Sequence, residues 1–367
     1  MKKKLYIHIG TGKTGTTAIQ DFMLINQDNL ESNGILYCKT GRTGNNHHLL
    51  CQNFKRTDKV TQNTILNNLI LLNQEILESA CHKFIISSEY FPGLTLEEIK
   101  SFCSMFDVAV IPLVYLRRQD EYIESWYAQV VKAYHVNYSV YELKDELYRA
   151  NILNYLELIE NWEKASECVI VRVYEKESFY KGNIFDDFLF ALDINFDSEY
   201  TLPTRKSNLS ILRNQIQLKK ALASISTETE QRILSQPISI DNFDEKYFMS
   251  PSSRESILDE FRPMNEQIAK KYLGRKALFI NEKVDSNWSD VDSEQYTYID
   301  LFLKKIKAEK PEVYDATQDL FFRFCMIKYD EFNVVDKYKA QKYIDIATHI
   351  RPDSKLIKLK YKLNKNS

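Results

Sequence analysis

Lys13 stands among Gly10, Gly12 and Gly15 and is followed by Thr14, Thr16 and Thr17, in the stretch LYIHIGTGKTGTTAIQDF of residues 5–22. Three of the chain's nine glycines therefore fall within six residues, where backbone can come close to a ligand without interference from a Cβ. Threonine hydroxyls and the first amides of a following helix would donate to an anion at the positive end of the helix dipole, and Lys13 adds a full charge. A 5′-phosphate or phosphosulfate suits such a nest. Further along, Glu89 closes the run KFIISSE, where a carboxylate can serve as a general base, and His47 and His48 sit together in the polar run KTGRTGNNHHLL. A loop histidine can take a proton or contact an acceptor. Arg117 ends the apolar run DVAVIPLVYL, with Ser125 eight residues later. A guanidinium meets phosphate oxygens as a planar fork, and a hydroxyl adds one more bond.

These groups need elements to hold them. Leu5 to Ile9 reads as a buried strand ending at Gly10, and Ile19, Phe22, Met23 and Leu30 recur at helical spacing after Thr17. Asn33 and Gly34 turn the chain into a short strand, ILYC, and the loop with the two histidines comes next. Residues 61–80 carry Ile65, Leu69, Leu72, Ile76 and Leu77 at helical intervals. Phe84 to Ile86 and Asp107 to Leu116 predict buried strands with Glu89 and Arg117 at their carboxyl ends, where open α/β sheets bind ligands. Gln119 or Asp120 opens a helix whose Tyr122, Ile123, Trp126, Tyr127 and Val130 face inward. CVIVRVYEKESF, from Cys168, supplies another strand, and helical patterns return over residues 211–223 and 252–273. The expected class is α/β, a three-layer parallel sheet flanked by helices.

A nucleoside triphosphatase loop would need a further glycine five positions before Gly12, and Ile7 stands there. Lys13 ahead of Gly15, Thr16 and Thr17 resembles instead the phosphosulfate loop of sulfotransferases that use 3′-phosphoadenosine 5′-phosphosulfate (PAPS). Arg117 and Ser125 resemble that family's second signature. The likeness runs from Leu5 to about Phe279 and is nearest to bacterial carbohydrate-type sulfotransferases, including Asn265 in the closing helices. It implies a P-loop NTPase-like sulfotransferase fold related to nucleotide kinases. Gly12, Lys13, Thr14, Gly15, Thr16 and Thr17 would hold the 5′-phosphate, and Arg117 and Ser125 the 3′-phosphate. Arg205, Lys206, Asn208 and Ser210 would lie in a loop over the nucleotide. Lys13 would act in catalysis, with Glu89 or else His48 as base. The acceptor implied is a carbohydrate or glycolipid hydroxyl, with no metal. A P-loop-type nucleotide or small-molecule kinase would share the loop and Lys13 but need magnesium and ATP and leave Arg117 and Ser125 unexplained, and a non-catalytic nucleotide-binding module that recruits partners through the C-terminal helices would keep affinity without turnover.

With 44% hydrophobic and 27% charged residues the 367-residue chain has a globular composition, and a net charge of −2 gives no general affinity for nucleic acid. The six cysteines are scattered without a CxxC pair, so neither a zinc site nor a disulfide framework is expected. No signal peptide or stretch of membrane-spanning length is read, and the expected location is the cytoplasm. The sulfotransferase resemblance assigns residues 1–282 to a catalytic domain. Polar VDSNWSDVDSEQ then reads as a linker into a helical accessory region, 283–367, marked by Tyr298, Leu301, Phe302, Ile306, Tyr343, Ala347 and Ile350. AQKYIDIATHIRPDSKLIKL resembles half of a tetratricopeptide repeat, and the basic run KLIKLKYKLNKNS suits contact with a protein or a polyanion.

Overall fold

Five short apolar runs form the strands β1 (Lys4–Ile9), β2 (Ile35–Tyr37), β3 (Lys83–Ser88), β4 (Ala109–Leu116) and β5 (Ile170–Val173). All pair in parallel, in the order β2-β3-β1-β4-β5. The structure is a computed structural model, and it describes residues 2–364 apart from 53–58, 134–138, 195–199, 204–212, 237, 239, 241–246, 282, 287 and 289–294.

The helices of the first two-thirds are α1 (Thr16–Ile25), α2 (Gln27–Ser32), α3 (Lys59–Glu78), α4 (Leu96–Cys103), α5 (Gln119–Ala133), α6 (Val140–Arg149), α7 (Tyr155–Glu163) and α8 (Ile184–Ala191). Beyond them come α9 (Arg213–Leu222), α10 (Glu228–Ile233), α11 (Pro251–Ile268), α12 (Gln295–Glu309), α13 (Pro311–Phe332), α14 (Lys337–Ile350) and α15 (Lys355–Asn364). Local sequence sets several starts. Thr95 and Glu98 form a reciprocal capping box at α4, and the Asn183 side chain accepts from the Phe185 amide at α8.

Side chains alternate across the strands, so each strand feeds two cores. Leu5, Ile7, Ile9, Phe84, Ile86 and Val114 pack with residues of α3, α4 and α7. Tyr6, Ile85, Ile111, Leu113 and Tyr115 pack with Ile19, Phe22 and Met23 of α1 and Phe188 and Leu189 of α8. Helices thus cover both faces, and each fully buried Leu, Ile or Phe contributes about 1.5–3 kcal/mol. The register matters most for function. Ile9 lies opposite Ser88 on one side and Val114 on the other, so the chain leaves β1, β3 and β4 at one edge. Gly10, Glu89 and Arg117 begin those three exits.

The chain divides into two compact units, the first made of Met1–Trp126, Lys144–Asn208 and Ser252–Val284, and the second of Tyr127–Leu143, Leu209–Pro251 and Asp285–Ser367. The sheet belongs to the first. In the second, Leu218 and Leu222 of α9, with Leu234, Ile238 and Ile240, share one apolar cluster with Phe302, Phe321, Phe324 and Tyr343 of the helices beyond residue 285. The 283–367 region read as accessory is therefore packed with residues from earlier in the chain. Among the described residues no helix is long and apolar enough to cross a membrane.

Candidate functional site

The loop after β1 is held from both neighbouring strands. The Gly10 amide donates to the Ser88 carbonyl at 3.0 Å, and the Thr11 hydroxyl donates to the carbonyl of Tyr115 on β4. The Thr14 hydroxyl donates to the Thr11 carbonyl at 2.5 Å. That hydroxyl, expected as a ligand donor, is spent inside the loop, which leaves Thr14 its backbone N–H. Lys13 is left-handed at φ 67° and Gly15 at φ 75°, so left-handed residues stand two apart, the arrangement that turns successive N–H groups into one concavity. Gly15 is also the residue before α1, and no side chain caps the helix there, so its first amides stay available to an anion. The Thr16 hydroxyl is buried with no hydrogen-bond partner among the described residues, and Thr17 is exposed. A buried hydroxyl left unbonded costs free energy until something bonds it. Gly12 lies under the indole of Trp126: a Cβ there would stand 2.6 Å from the ring. Trp126 is half-buried and stacks on Tyr122 at 6.0 Å.

Glu89 emerges from β3 beside this loop, its Cγ 3.1 Å from where a Cβ on Gly10 would stand. Although the residue is exposed by surface area, protein atoms crowd its carboxylate enough to desolvate it. Desolvation raises its pKa above the ordinary carboxylate value, and the charge of Lys13 opposes that rise. Lys13 and Glu89 therefore face each other electrostatically.

The adjacent histidines have separate roles. His47 is fully buried: its Nε2 donates to the Cys38 carbonyl at 2.8 Å, and its Nδ1 accepts from the Ser87 amide at 3.1 Å. Those bonds fix a neutral ring, and burial lowers its pKa to about 4. His48 is half-buried, with Nδ1 2.8 Å from the Ser88 hydroxyl and its ring edge-on to Tyr90 at 4.7 Å. Desolvation lowers its pKa as well. Of the pair, His48 is the one that reaches the end of β3, meeting Ser88 and Tyr90, the residues on either side of Glu89 in the chain.

Arg117 reaches back to the loop, its Nη1 donating to the carbonyl of Lys13 at 3.0 Å. The guanidinium lies over the Tyr174 ring at 5.6 Å, and its buried Nε forms an ion pair with the Glu121 carboxylate at 3.5 Å. Ser125 is half-buried on α5. Arg118 turns the other way: it is buried, paired with Asp120 at 2.7 Å, and donates to the Asn281 and Lys283 carbonyls. Arg254 joins Asp120 at 2.7 Å from the other side, which makes this a buried structural network. Asn265, singled out in the closing helices, exchanges side-chain hydrogen bonds with Gln119 at 2.9 and 3.1 Å.

The structure thus brings Gly12, Lys13, Thr14, Gly15, Thr16, Glu89, His48 and Arg117 to one edge of the sheet. Arg205, Lys206, Asn208 and Ser210 lie outside the described residues. The stretch CVIVRVYEKESF reads in the sequence only as a strand, yet its Tyr174 packs on Gly15 and under Arg117. The available signal was position, since Tyr174 directly follows β5 at the same edge as the loop. Thr11 was also missed, because its partner Tyr115 is 104 residues away. Among the described residues no group of three His, Cys, Asp or Glu side chains is placed to hold a metal ion.

Fold and site together define an α/β protein with a glycine-rich loop at the carboxyl edge of an all-parallel sheet. No family model matches the chain. Over 205 residues it is 30% identical to a protein of Archaeoglobus fulgidus described as uncharacterized, which covers 53% of this chain and 55% of that protein. The chain spans about half the length of the curated relative it matches.

Proposed function

We propose that this protein is a PAPS-dependent sulfotransferase of P-loop-like architecture that moves a sulfuryl group onto a hydroxyl of a carbohydrate or glycolipid. The observation that carries the reading is the bond from Arg117 to Lys13. Two motifs that resemble sulfotransferase signatures, 104 residues apart in the chain, meet at 3.0 Å. Among the described residues the buried Thr16 hydroxyl has no hydrogen-bond partner, which leaves it a donor for a ligand at the start of α1.

In this reading the amides at the start of α1 and the Thr16 hydroxyl bind the 5′-phosphate, and Arg117 with Ser125 binds the 3′-phosphate. Glu89, with its raised proton affinity, takes the proton of the acceptor hydroxyl as the acceptor oxygen bonds to sulfur. The bond from sulfur to the phosphate oxygen breaks, giving a sulfate ester and 3′-phosphoadenosine 5′-phosphate. Lys13 balances the charge that grows on that leaving oxygen. His48 stands ready beside Glu89 to contact the acceptor. The bacterial cytosol, where PAPS is made and used, suits the donor, and the basic C-terminal helix suits a protein or polyanion partner.

Calorimetry of 3′-phosphoadenosine 5′-phosphate against adenosine 5′-phosphate and against ATP with magnesium tests the donor. Binding that depends on the 3′-phosphate and weakens in Arg117→Ala is the expected result. Indifference to the 3′-phosphate with preference for magnesium and ATP would overturn the proposal and favour a kinase.

A further inference from the structure

The carbonyl of Lys13 and the N–H of Thr14 belong to one planar trans peptide and point in opposite directions. Arg117 bonds that carbonyl at 3.0 Å, on a residue held at φ 67°. A lysine rarely adopts that conformation, which costs roughly 1–2 kcal/mol relative to the right-handed region, so the peptide needs something to keep it there. Were the plane to turn over, a carbonyl oxygen would replace an N–H in the concavity and repel a phosphate.

Arg117 is itself well fixed. Its own carbonyl accepts from the buried Tyr155 hydroxyl at 2.8 Å, its guanidinium rests on Tyr174, and Glu121 lies 3.5 Å from its Nε. Tyr174 in turn packs on Gly15, the other left-handed residue of the loop. One guanidinium and one ring thus brace both left-handed positions from the β4 and β5 side.

We propose that Arg117 is a positioning residue for the loop as well as a phosphate ligand: by capping the Lys13 carbonyl it holds the Lys13–Thr14 peptide plane so that the Thr14 N–H serves a bound 5′-phosphate. This rests on the phosphosulfate-loop reading above, and it goes further by giving Arg117 a duty toward ligands that lack a 3′-phosphate. A residue that reads only the 3′-phosphate has no effect on adenosine 5′-phosphate. A residue that braces the loop does.

The test uses Arg117→Met, which keeps an unbranched side chain without the charge or the donors, Arg117→Lys, which keeps the charge, and Ser125→Ala as comparator. Each full-length variant is titrated with adenosine 5′-phosphate and with 3′-phosphoadenosine 5′-phosphate, and amide hydrogen exchange is followed at residues 13–16. Ser125→Ala is expected to weaken only the 3′-phosphorylated ligand. Arg117→Met is expected to weaken adenosine 5′-phosphate about tenfold or more, the range for losing one charged hydrogen bond, and to speed exchange at residues 13–16 while exchange in β1 and β4 stays as in the wild type. Arg117→Lys should recover part of the 3′-phosphate preference but not the slow exchange. If Arg117→Met leaves both the adenosine 5′-phosphate affinity and the loop exchange within twofold of wild type, the brace is refuted. If the wild type makes no distinction between the two nucleotides, the sulfotransferase reading fails while loop exchange still decides the brace.

Discussion

Glu89, just beyond β3, and His48, in the turn after β2 whose ring meets Ser88 at the end of β3, are two candidates for one proton, and their surroundings separate them. Burial raises the proton affinity of Glu89, which improves a carboxylate as a base, whereas burial lowers that of His48. A base must be unprotonated to act, so turnover should rise with pH through the Glu89 pKa, at a higher pH than an ordinary glutamate would give. Glu89→Gln is expected to lower kcat by about 10²-fold or more and to erase that rise, as read from a pH profile. A surviving rise in the variant would hand the role to His48. At this scale the sequence showed a turn between β1 and α1 in the glycines around Lys13, but not that the Thr14 hydroxyl is spent on the Thr11 carbonyl or that Tyr115 and Arg117 hold the loop. It was not legible where the fate of a side chain depends on distant partners. Nothing local distinguishes His47 from His48, because Cys38 and Ser87 decide which ring is buried. The same holds for Arg117 and Arg118, adjacent in sequence, one braced on the loop and the other sealed against Asp120.

Among elements, His47 ties the loop after β2 to β3, and it does so only when neutral. Its pKa is about 4 in the folded protein against about 6.5 in an unfolded chain. Between those values the unfolded state binds more protons, so stability falls as pH drops through that window. The loss from His47 alone is on the order of 3 kcal/mol. His8, buried on β1 with a pKa lowered to about 3, adds in the same direction. Urea midpoints at pH 7 and pH 4.5 should differ by less in His47→Gln than in the wild type. An equal difference in both would remove His47 as a cause. The strands were readable from apolar runs, and α5 begins at Gln119 as its sequence suggested. Strand order was not readable, since pairing β1 between β3 and β4 joins residues separated by some eighty to one hundred positions. Only the assembled register shows that Gly10, Glu89 and Arg117 leave the sheet together.

For the molecule as a whole, the polar stretch after residue 283 was visible in the sequence, but the packing of the helices beyond it was not. Cutting after Val284 would remove Ile299, Phe302, Leu303 and Phe321 and leave Leu218, Leu222 and Leu234 without the apolar neighbours of their cluster. The expected product is an aggregating fragment, visible by light scattering. A monodisperse 1–284 fragment with an undiminished affinity for 3′-phosphoadenosine 5′-phosphate would refute that expectation. Interleaving has a further consequence, in time. Each compact unit draws a segment from beyond residue 250, so neither is complete when β1 and its loop leave the ribosome. At about 5–20 residues per second, translation keeps that apolar strand waiting on the order of 15–60 s for the last segment of its own unit. Over that interval the apolar surface that later packs on residues 252–284 is open to aggregation.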